Sequence, residues 1–280
     1  MEASATNKQH LMAAAFKALH EREGIFVMPN PWDAGSARML AGMGFEALAT
    51  TSAGLAFSLG KPDGEGIVTL EEALENARAI INASCIPVAA DLENGYGDHP
   101  EDCAETILLA AAAGLAGGSI EDATGRPDDP IYSFELSVER IKAAVKAARS
   151  LPFHFTLTAR AENLIHGRPD LKGTIRRLEA FADVGADVLF APGLNTKAEI
   201  EAVVKAVAPK PVNVLVSNGV AAFSLTELSA LGVKRLSLGS AFARAAYGAF
   251  LKGAEEIQQK GLFSFVPETV SYKTINDMLR

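Results

Sequence analysis

Short apolar runs alternate with longer amphipathic stretches along nearly the whole chain. Eight runs rich in β-branched and other apolar residues read as buried strands: Ile25–Met28, Ala47–Thr50, Val88–Asp91, Gly118–Glu121, Phe155–Arg160, Val188–Phe190, Val212–Val216 and Arg235–Leu238. Helix-length segments lie between most of them, among them Leu70–Ser84, Cys103–Ala113, Val138–Arg149, Lys172–Val184, Thr196–Val207 and Leu225–Leu231. Such alternation predicts βαβ units, and therefore a parallel sheet with right-handed crossovers. Eight units in about 240 residues fit a closed barrel better than an open sheet, so the predicted class is α/β, a (β/α)8 TIM barrel.

Glycine punctuates the predicted helix ends. Gly42-Met-Gly-Phe45, Ala113-Gly-Leu-Ala-Gly117, Val184-Gly-Ala-Asp187 and Leu231-Gly-Val233 each place Gly where a helix should stop, because Gly tolerates the left-handed conformation just past the last turn. These four turns are the internal repetition in the sequence. No low-complexity or Pro/Gly/Ser-rich linker splits the chain, which predicts one domain over 1–280 with a C-terminal helical extension at about 241–280. That tail carries Leu262, Phe263, Phe265 and Val266, apolar residues that need cover such as a partner subunit gives. Met1 to Glu23 predicts an amphipathic helix with Leu11, Met12, Ala15, Phe16 and Leu19 on one side, rather than a secretory leader. No stretch reaches the ~18 uncharged apolar residues of a membrane span, so the expected location is the cytoplasm.

Composition narrows the function. The 280 residues are 49% hydrophobic and 21% charged, the balance of a globular chain with ample core. Lys plus Arg is 26 against 34 for Asp plus Glu, a net charge of −8. That balance argues against a broad nucleic-acid surface or an anionic membrane surface, yet leaves room for a small anionic substrate at a locally positive or metal-bearing site. Two cysteines, Cys85 and Cys103, make no disulfide framework and read as small hydrophobes.

In a barrel of this kind chemistry sits at the C-terminal ends of the strands. Those ends carry Asp91-Leu-Glu93-Asn-Gly-Tyr96-Gly after strand three, Glu121-Asp122 after strand four and Arg160-Ala-Glu162-Asn163 after strand five. The loop after strand two holds Thr51-Ser52-Ala53-Gly54-Leu55 and then Gly60-Lys-Pro-Asp63. Four carboxylates, Asp63, Asp91, Glu93 and Glu121, thus point at one mouth. Like charges so close need a compensating cation, and a hard divalent ion, Mg2+ or Mn2+, suits carboxylates, waters and a substrate oxygen. The alternative for single acids is helix capping, for Asp91 and Asp122 in particular. His99, His154 and His166 are scattered and show no zinc spacing.

Arg160, at the end of an otherwise apolar strand, can clamp a substrate carboxylate or pair with Glu121 or Glu162. Ser52-Ala53-Gly54-Leu55 offers a hydroxyl and backbone N–H groups as an anion cradle. Asn213 either donates to substrate or bonds a neighbouring strand. Gly239-Ser240 binds phosphate or caps a helix. No strand ends in a Schiff-base lysine, and there is no glycine-rich nucleotide fingerprint.

Together, in this order and at strand ends, Ser58-Leu-Gly-Lys-Pro-Asp63, Asp91-Leu-Glu-Asn-Gly-Tyr-Gly97, Ser119-Ile-Glu-Asp122 and Thr158-Ala-Arg160 resemble the phosphoenolpyruvate mutase/isocitrate lyase superfamily. The resemblance spans roughly Pro29 to Gly248. It implies a barrel whose eighth helix is exchanged between paired subunits, in homodimers or homotetramers. It implies Mg2+ bound directly by Asp91 and largely through water by Asp63, Glu93 and Glu121. It makes Arg160 and Asn213 substrate-binding residues, and places Ser52, Ala53, Gly54 and Leu55 where the substrate carboxylate is cradled. Members make or break a C–C or P–C bond beside a 2-oxo or 2-hydroxy acid, through an enolate or related carbanion.

The sequence departs from both familiar branches. The lyases carry Lys-Lys/Arg-Cys-Gly-His after the Glu-Asp pair, whereas the segment here is Ala123-Thr-Gly-Arg-Pro-Asp-Asp-Pro-Ile-Tyr-Ser133, with neither Cys nor His. The Lys and Asn of the phosphonate enzymes' loop are missing too, and Glu93 replaces the commoner Asp. Asp128, Asp129 and Tyr132 lie on that loop, which is predicted to close as a lid. Tyr96 and Tyr132 are the candidate proton donors beside Arg160; packing beneath its turn is the alternative for Tyr96. The predicted activity is metal-assisted C–C cleavage of a small 2-oxo or 2-hydroxy acid, as in decarboxylation of oxaloacetate or an acyl or aldol cleavage. The alternatives are phosphonopyruvate chemistry and a non-catalytic dicarboxylate-binding barrel.

Overall fold

The computed structural model describes residues 2–280, with side chains from Asn7 onward. Its strands are β1 Phe26–Met28, β2 Leu48–Ala49, β3 Val88–Asp91, β4 Gly117–Glu121, β5 Thr156–Arg160, β6 Val188–Phe190, β7 Val212–Leu215 and β8 Arg235–Ser237. All pair in parallel in the order β1-β8-β7-β6-β5-β4-β3-β2. At the remaining seam the Ala49 N–H donates to the Pro29 carbonyl at 3.1 Å, so the sheet curls into a (β/α)8 barrel. The helices are α1 Glu2–Glu21, α2 Ala34–Gly42, α3 Ser52–Ser58, α4 Leu70–Ala83, α5 Pro100–Ala112, α6 Phe134–Ser150, α7 Leu171–Asp183, α8 Lys197–Ala206, α9 Leu225–Ala230, α10 Ala241–Lys260 and α11 Tyr272–Met278.

Local chemistry sets the boundaries. Thr69/Glu72, Thr196/Glu199 and Ser224/Glu227 form reciprocal capping boxes at the starts of α4, α8 and α9. Gly44, Gly114, Gly185 and Gly232 end α2, α5, α7 and α9 with φ between +86° and +105°, as the four glycine turns predict. The core is a continuous layer of Ile, Leu, Val, Phe and Ala between strands and helices.

Helix α1 is rotated relative to the sequence expectation. Leu11 and Ala15 face solvent, while Ala13, Phe16, Leu19 and His20 are buried. Ala13, Phe16 and Leu19 pack with Phe26, Met28, Ala47, Ala49 and Ala89, and so plug the N-terminal end of the barrel. A polar residue, His20, is therefore part of the buried face, which an apolar periodicity cannot anticipate. Cys103 is buried as expected, but Cys85 is exposed. Among the described residues no helix is long and apolar enough to cross a membrane.

Candidate active site

The barrel is closed below and open above. A cavity of about 270 Å³ runs down its axis from Asp63, Asp91 and Arg160 to Asn213 and Arg235. A second, of about 210 Å³, continues outward between Glu93, Glu121, Glu162 and His166. Asp63 and Arg160 border both.

Asp91, ending β3, is held by its neighbours rather than capping α5. Its carboxylate accepts from the Ser52 hydroxyl at 3.1 Å and from the Glu93 N–H at 3.3 Å. The turn that follows is strained: Glu93 and Tyr96 have φ of +46° and +58°, each costing about 1–3 kcal/mol that the surroundings must offset. Arg140, buried in α6, supplies that enforcement by donating to the carbonyls of Asn94 and Gly97. Thr106 donates to Gly95 O at 2.8 Å. At Gly95 a side chain would meet Cys103 Cα at 3.2 Å, so the loop lies against α5.

Arg160 sits among acids. It donates to Glu162 and lies 3.3 Å from Glu121 and 3.5 Å from Asp91, with its guanidinium over the Phe190 ring. Burial opposes its charge, but Glu162, Glu121 and Asp91 together hold it protonated well above its ordinary range. Both roles foreseen for Arg160, cavity residue and ion-pair partner, coincide in one position. Burial, then Asp91 and Asp63, raises Glu93 to about 7. Burial raises Glu121 strongly, with Arg160 pulling the other way, and burial followed by Asp91 raises Asp63. Glu162 is held low despite its burial, because Arg160 and His166 stabilise its charge.

Asp63, Asp91, Glu93 and Glu121 therefore form an acidic ring that one guanidinium does not balance. Oxygen-only donors with excess negative charge fit a hard divalent cation such as Mg2+ or Mn2+. Among the described residues no three His, Cys, Asp or Glu side chains close on one point to coordinating range. The fit is that of an ion held by few protein oxygens and completed by water and substrate.

Other expected site residues take different places. Ser52 and Ala53 line the cavity, but Gly54 and Leu55 are buried behind it in α3. Gly54 is there for packing: a Cβ would meet Thr51 and Trp32 at 2.6 and 2.9 Å. Asn213 borders the cavity, yet its amide donates to Ser237 and accepts from Arg235, both at 2.9 Å, so the strand-bonding alternative is realised. Tyr96 lies in an outer hollow beside Glu93 and packs on the core. Tyr132 does not reach either cavity. The segment Ala123–Ser133 folds back through an Ala123–Ile131 bridge. This buries the Tyr132 ring, whose hydroxyl donates to Asp98 and accepts from Asn94. Asp128 and Asp129 point to solvent at its tip. Asp122 caps nothing either; it binds the Glu162 N–H and Arg177. The Gly239 N–H is taken by Asn30 Oδ1 at 2.9 Å, and Ser240 lines the cavity without capping α10 through its side chain.

Four residues at or around the site escape a reading by pattern. Arg140 clamps the β3–α5 turn, Asn30 ties β1 to Thr50 and Gly239, and His166 stands 3.6 Å from Glu162 at the outer cavity. Arg235 lies at the cavity's closed end, where it donates to Asn213, Thr158 and His20. A basic residue opening a predicted strand is the single signal for Arg235, and it does not distinguish inside from outside.

A family model described as phosphoenolpyruvate phosphomutase matches residues 16–258. The 2-methylisocitrate lyase of Salmonella typhimurium is 34% identical over 189 residues, which cover 65% of this chain and 62% of that enzyme. The crystal structure of a Burkholderia cenocepacia protein, assigned no more closely than lyase/mutase, superposes with a TM-score of 0.93 at 57% identity, covering 97% and 96% of the two chains. Oxaloacetate acetylhydrolase, solved with the inhibitor 3,3-difluorooxalacetate, superposes with a TM-score of 0.84 at 29% identity over 95% and 92%.

Proposed function

The chain belongs to the phosphoenolpyruvate mutase/isocitrate lyase superfamily of enzymes, and from that premise we propose that it is a metal-dependent lyase cleaving a C–C bond of a small 2-oxo or 2-hydroxy carboxylic acid. The observation that carries this reading is the acidic ring of Asp63, Asp91, Glu93 and Glu121 gathered around Arg160 at the mouth of a cavity sized for a small acid. Asp91 would hold Mg2+ directly, and Asp63, Glu93 and Glu121 would orient its waters. The bound ion would supply Lewis-acid polarisation of the substrate's 2-oxo oxygen.

The protein's own groups do the remaining work. Ser52 and Ala53, at the start of α3, face the substrate's carboxylate end. Arg160 presents a fixed positive charge to the oxygen that gains electron density as the bond at C3 breaks. Because Glu162 and Glu121 already orient this guanidinium, little reorganisation accompanies the charge development. Arg160 and the acids beside it are themselves largely buried, which strengthens the interaction. The loop 123–133 lacks the Cys and His of the lyases' segment, which favours cleavages whose carbanion takes a proton from solvent, such as decarboxylation of oxaloacetate.

We further read the chain as one cytoplasmic barrel domain, 1–280, working as a homodimer or homotetramer. The extension 241–280 supports this, since Phe242, Phe250, Leu251, Leu262 and Phe263 are all exposed. A panel of 2-oxo and 2-hydroxy acids with Mg2+, assayed for pyruvate, carbon dioxide and inorganic phosphate, tests the reaction class. Phosphate release would favour P–C chemistry, and binding of dicarboxylates with no turnover would favour a non-catalytic barrel.

A further inference from the structure

Arg235 is the second cationic residue lining the axial cavity, and its surroundings are opposite to those of Arg160. It is 3% exposed, yet no carboxylate among the described residues lies within ion-pair range. Its contacts are neutral: Nε donates to Asn213 Oδ1 at 2.9 Å, Nη2 to Thr158 Oγ1 at 3.0 Å, and Nη1 to His20 Nε2 at 3.2 Å. The His20 Nδ1 is engaged by the Phe16 carbonyl at 2.8 Å, which leaves Nε2 as the acceptor. A guanidinium has five N–H donors, so two remain after these bonds.

An uncompensated buried charge is costly, and proteins pair such charges with an ion or a ligand. Here the open volume on one side of Arg235 is the cavity itself, while α1 seals the other side through Phe16 and His20. Burial lowers Arg235 to about 9, which still leaves it charged near neutrality. Thr158, its partner, lies two residues below Arg160 on β5, roughly 7 Å along the strand. The cavity is thus electrically two-ended, with acids and a screened arginine at the mouth and a bare arginine at the floor.

We propose that Arg235 is a specificity-determining residue that receives a second negative group on the substrate, so that the site selects a short dicarboxylate over the monocarboxylate of the same length. This rests on the proposed substrate site at Asp91 and Arg160 and adds the distal half of the ligand. Asn213 acts here as a positioning residue, since its side-chain oxygen fixes Arg235 Nε.

The test is calorimetric binding of matched acids to the Mg2+-supplemented protein: malate against 2-hydroxybutyrate, and 2-oxoglutarate against 2-oxopentanoate. Wild type should favour the dicarboxylate of at least one pair by roughly 30-fold or more, the effect of satisfying a buried charge. Arg235→Met should erase that preference with little change for the monocarboxylate, and Arg235→Lys should retain part of it. Oxalate, which occupies the mouth alone, should bind wild type and Arg235→Met alike and fail on Asp91→Ala. If Arg235→Met does not fold, Arg235→Lys and wild type still decide. No preference in wild type, or equal weakening of both acids of a pair by the substitution, overturns the role of Arg235. Oxalate binding that ignores Asp91 overturns the underlying site instead.

Discussion

Arg160 Nη1 stands 3.3 Å from the Glu121 carboxylate, with both side chains only 16% exposed, so the cation of the mouth is locked to the acid ring it partly neutralises. The same guanidinium bonds Glu162 through Nε and lies 3.5 Å from Asp91 through Nη1, a three-way contact that needs a planar fork. Lysine supplies a charge but not the fork. Arg160→Lys is therefore expected to lower kcat by about 10²–10³-fold, in the range for loss of one preorganised donor, with a smaller effect on KM. Arg160→Met removes the charge as well and should destabilise the fold, because Glu162 is then buried without its main partner. Steady-state kinetics and thermal melts separate the two. Wild-type kcat in the lysine variant would remove Arg160 from the chemistry.

The acid ring also predicts a metal dependence that can be read without turnover. Burial and mutual repulsion raise Asp63, Glu93 and Glu121, so a bound divalent cation relieves repulsion that the folded state otherwise carries. Mg2+ should raise the melting temperature at neutral pH, and EDTA should reverse the shift. Asp91→Asn should abolish it and cut activity by orders of magnitude. Glu93→Gln, on the turn just beyond, should weaken the Mg2+ response without eliminating it. An Asp91→Asn protein that melts higher with Mg2+, as wild type does, would place the ion elsewhere.

Much of this was legible in the residues, for a definite reason. Strands buried on both faces are short apolar runs, and a polar residue ending such a run faces the mouth of a barrel. Asp91, Glu121 and Arg160 therefore declare themselves. Residues whose role depends on closure do not. Arg140, in the middle of α6, looks like one of several solvated charges on that helix until the β3–α5 turn is seen folded over it. His20 and Arg235 are 215 positions apart and meet because the barrel brings β8 over α1. Tyr132 lies outside both cavities because the direction of the 123–133 loop follows from the Ala123–Ile131 bridge, which no local pattern encodes.

Arg140 gives a prediction that separates shape from chemistry. It touches neither cavity, yet it holds the carbonyls of Asn94 and Gly97 and stacks 4.2 Å from the Tyr132 ring centroid. These contacts hold Glu93 and Tyr96 in their left-handed conformations. Arg140→Met keeps the volume and removes the donors. It should cost about 2–4 kcal/mol of stability, as expected when a buried charged donor is lost and carbonyls are left unsatisfied. Among the molecules still folded, the Mg2+ concentration needed for half-maximal activity should rise several-fold. Urea melts and a Mg2+ titration check both, and an unchanged titration would mean the turn keeps its shape without the clamp.

His20 predicts how the barrel fails in acid. In the unfolded chain it takes a proton as pH falls through about 6.5. In the folded chain burial, then the charge of Arg235, holds it neutral down to about 3, despite the help that the Phe16 carbonyl gives the protonated form. Lys234 and His154 add smaller repulsions in the same direction. A depressed folded pKa means the unfolded state binds the extra proton, so the stabilisation is complete above about 6.5 and drains away as pH drops towards 3. The slope is roughly 1.4 kcal/mol per pH unit, or about 2 kcal/mol between pH 7.5 and 5. Glutamine can donate to Phe16 O and accept from Arg235 without titrating. The unfolding free energy of His20→Gln should accordingly fall less than that of wild type over this interval, by about that amount. Carboxylates elsewhere contribute equally to both proteins and cancel in the difference. Parallel pH profiles for the two proteins would show that His20 accepts its proton without disturbing Arg235, and that the barrel floor is more open than its packing indicates.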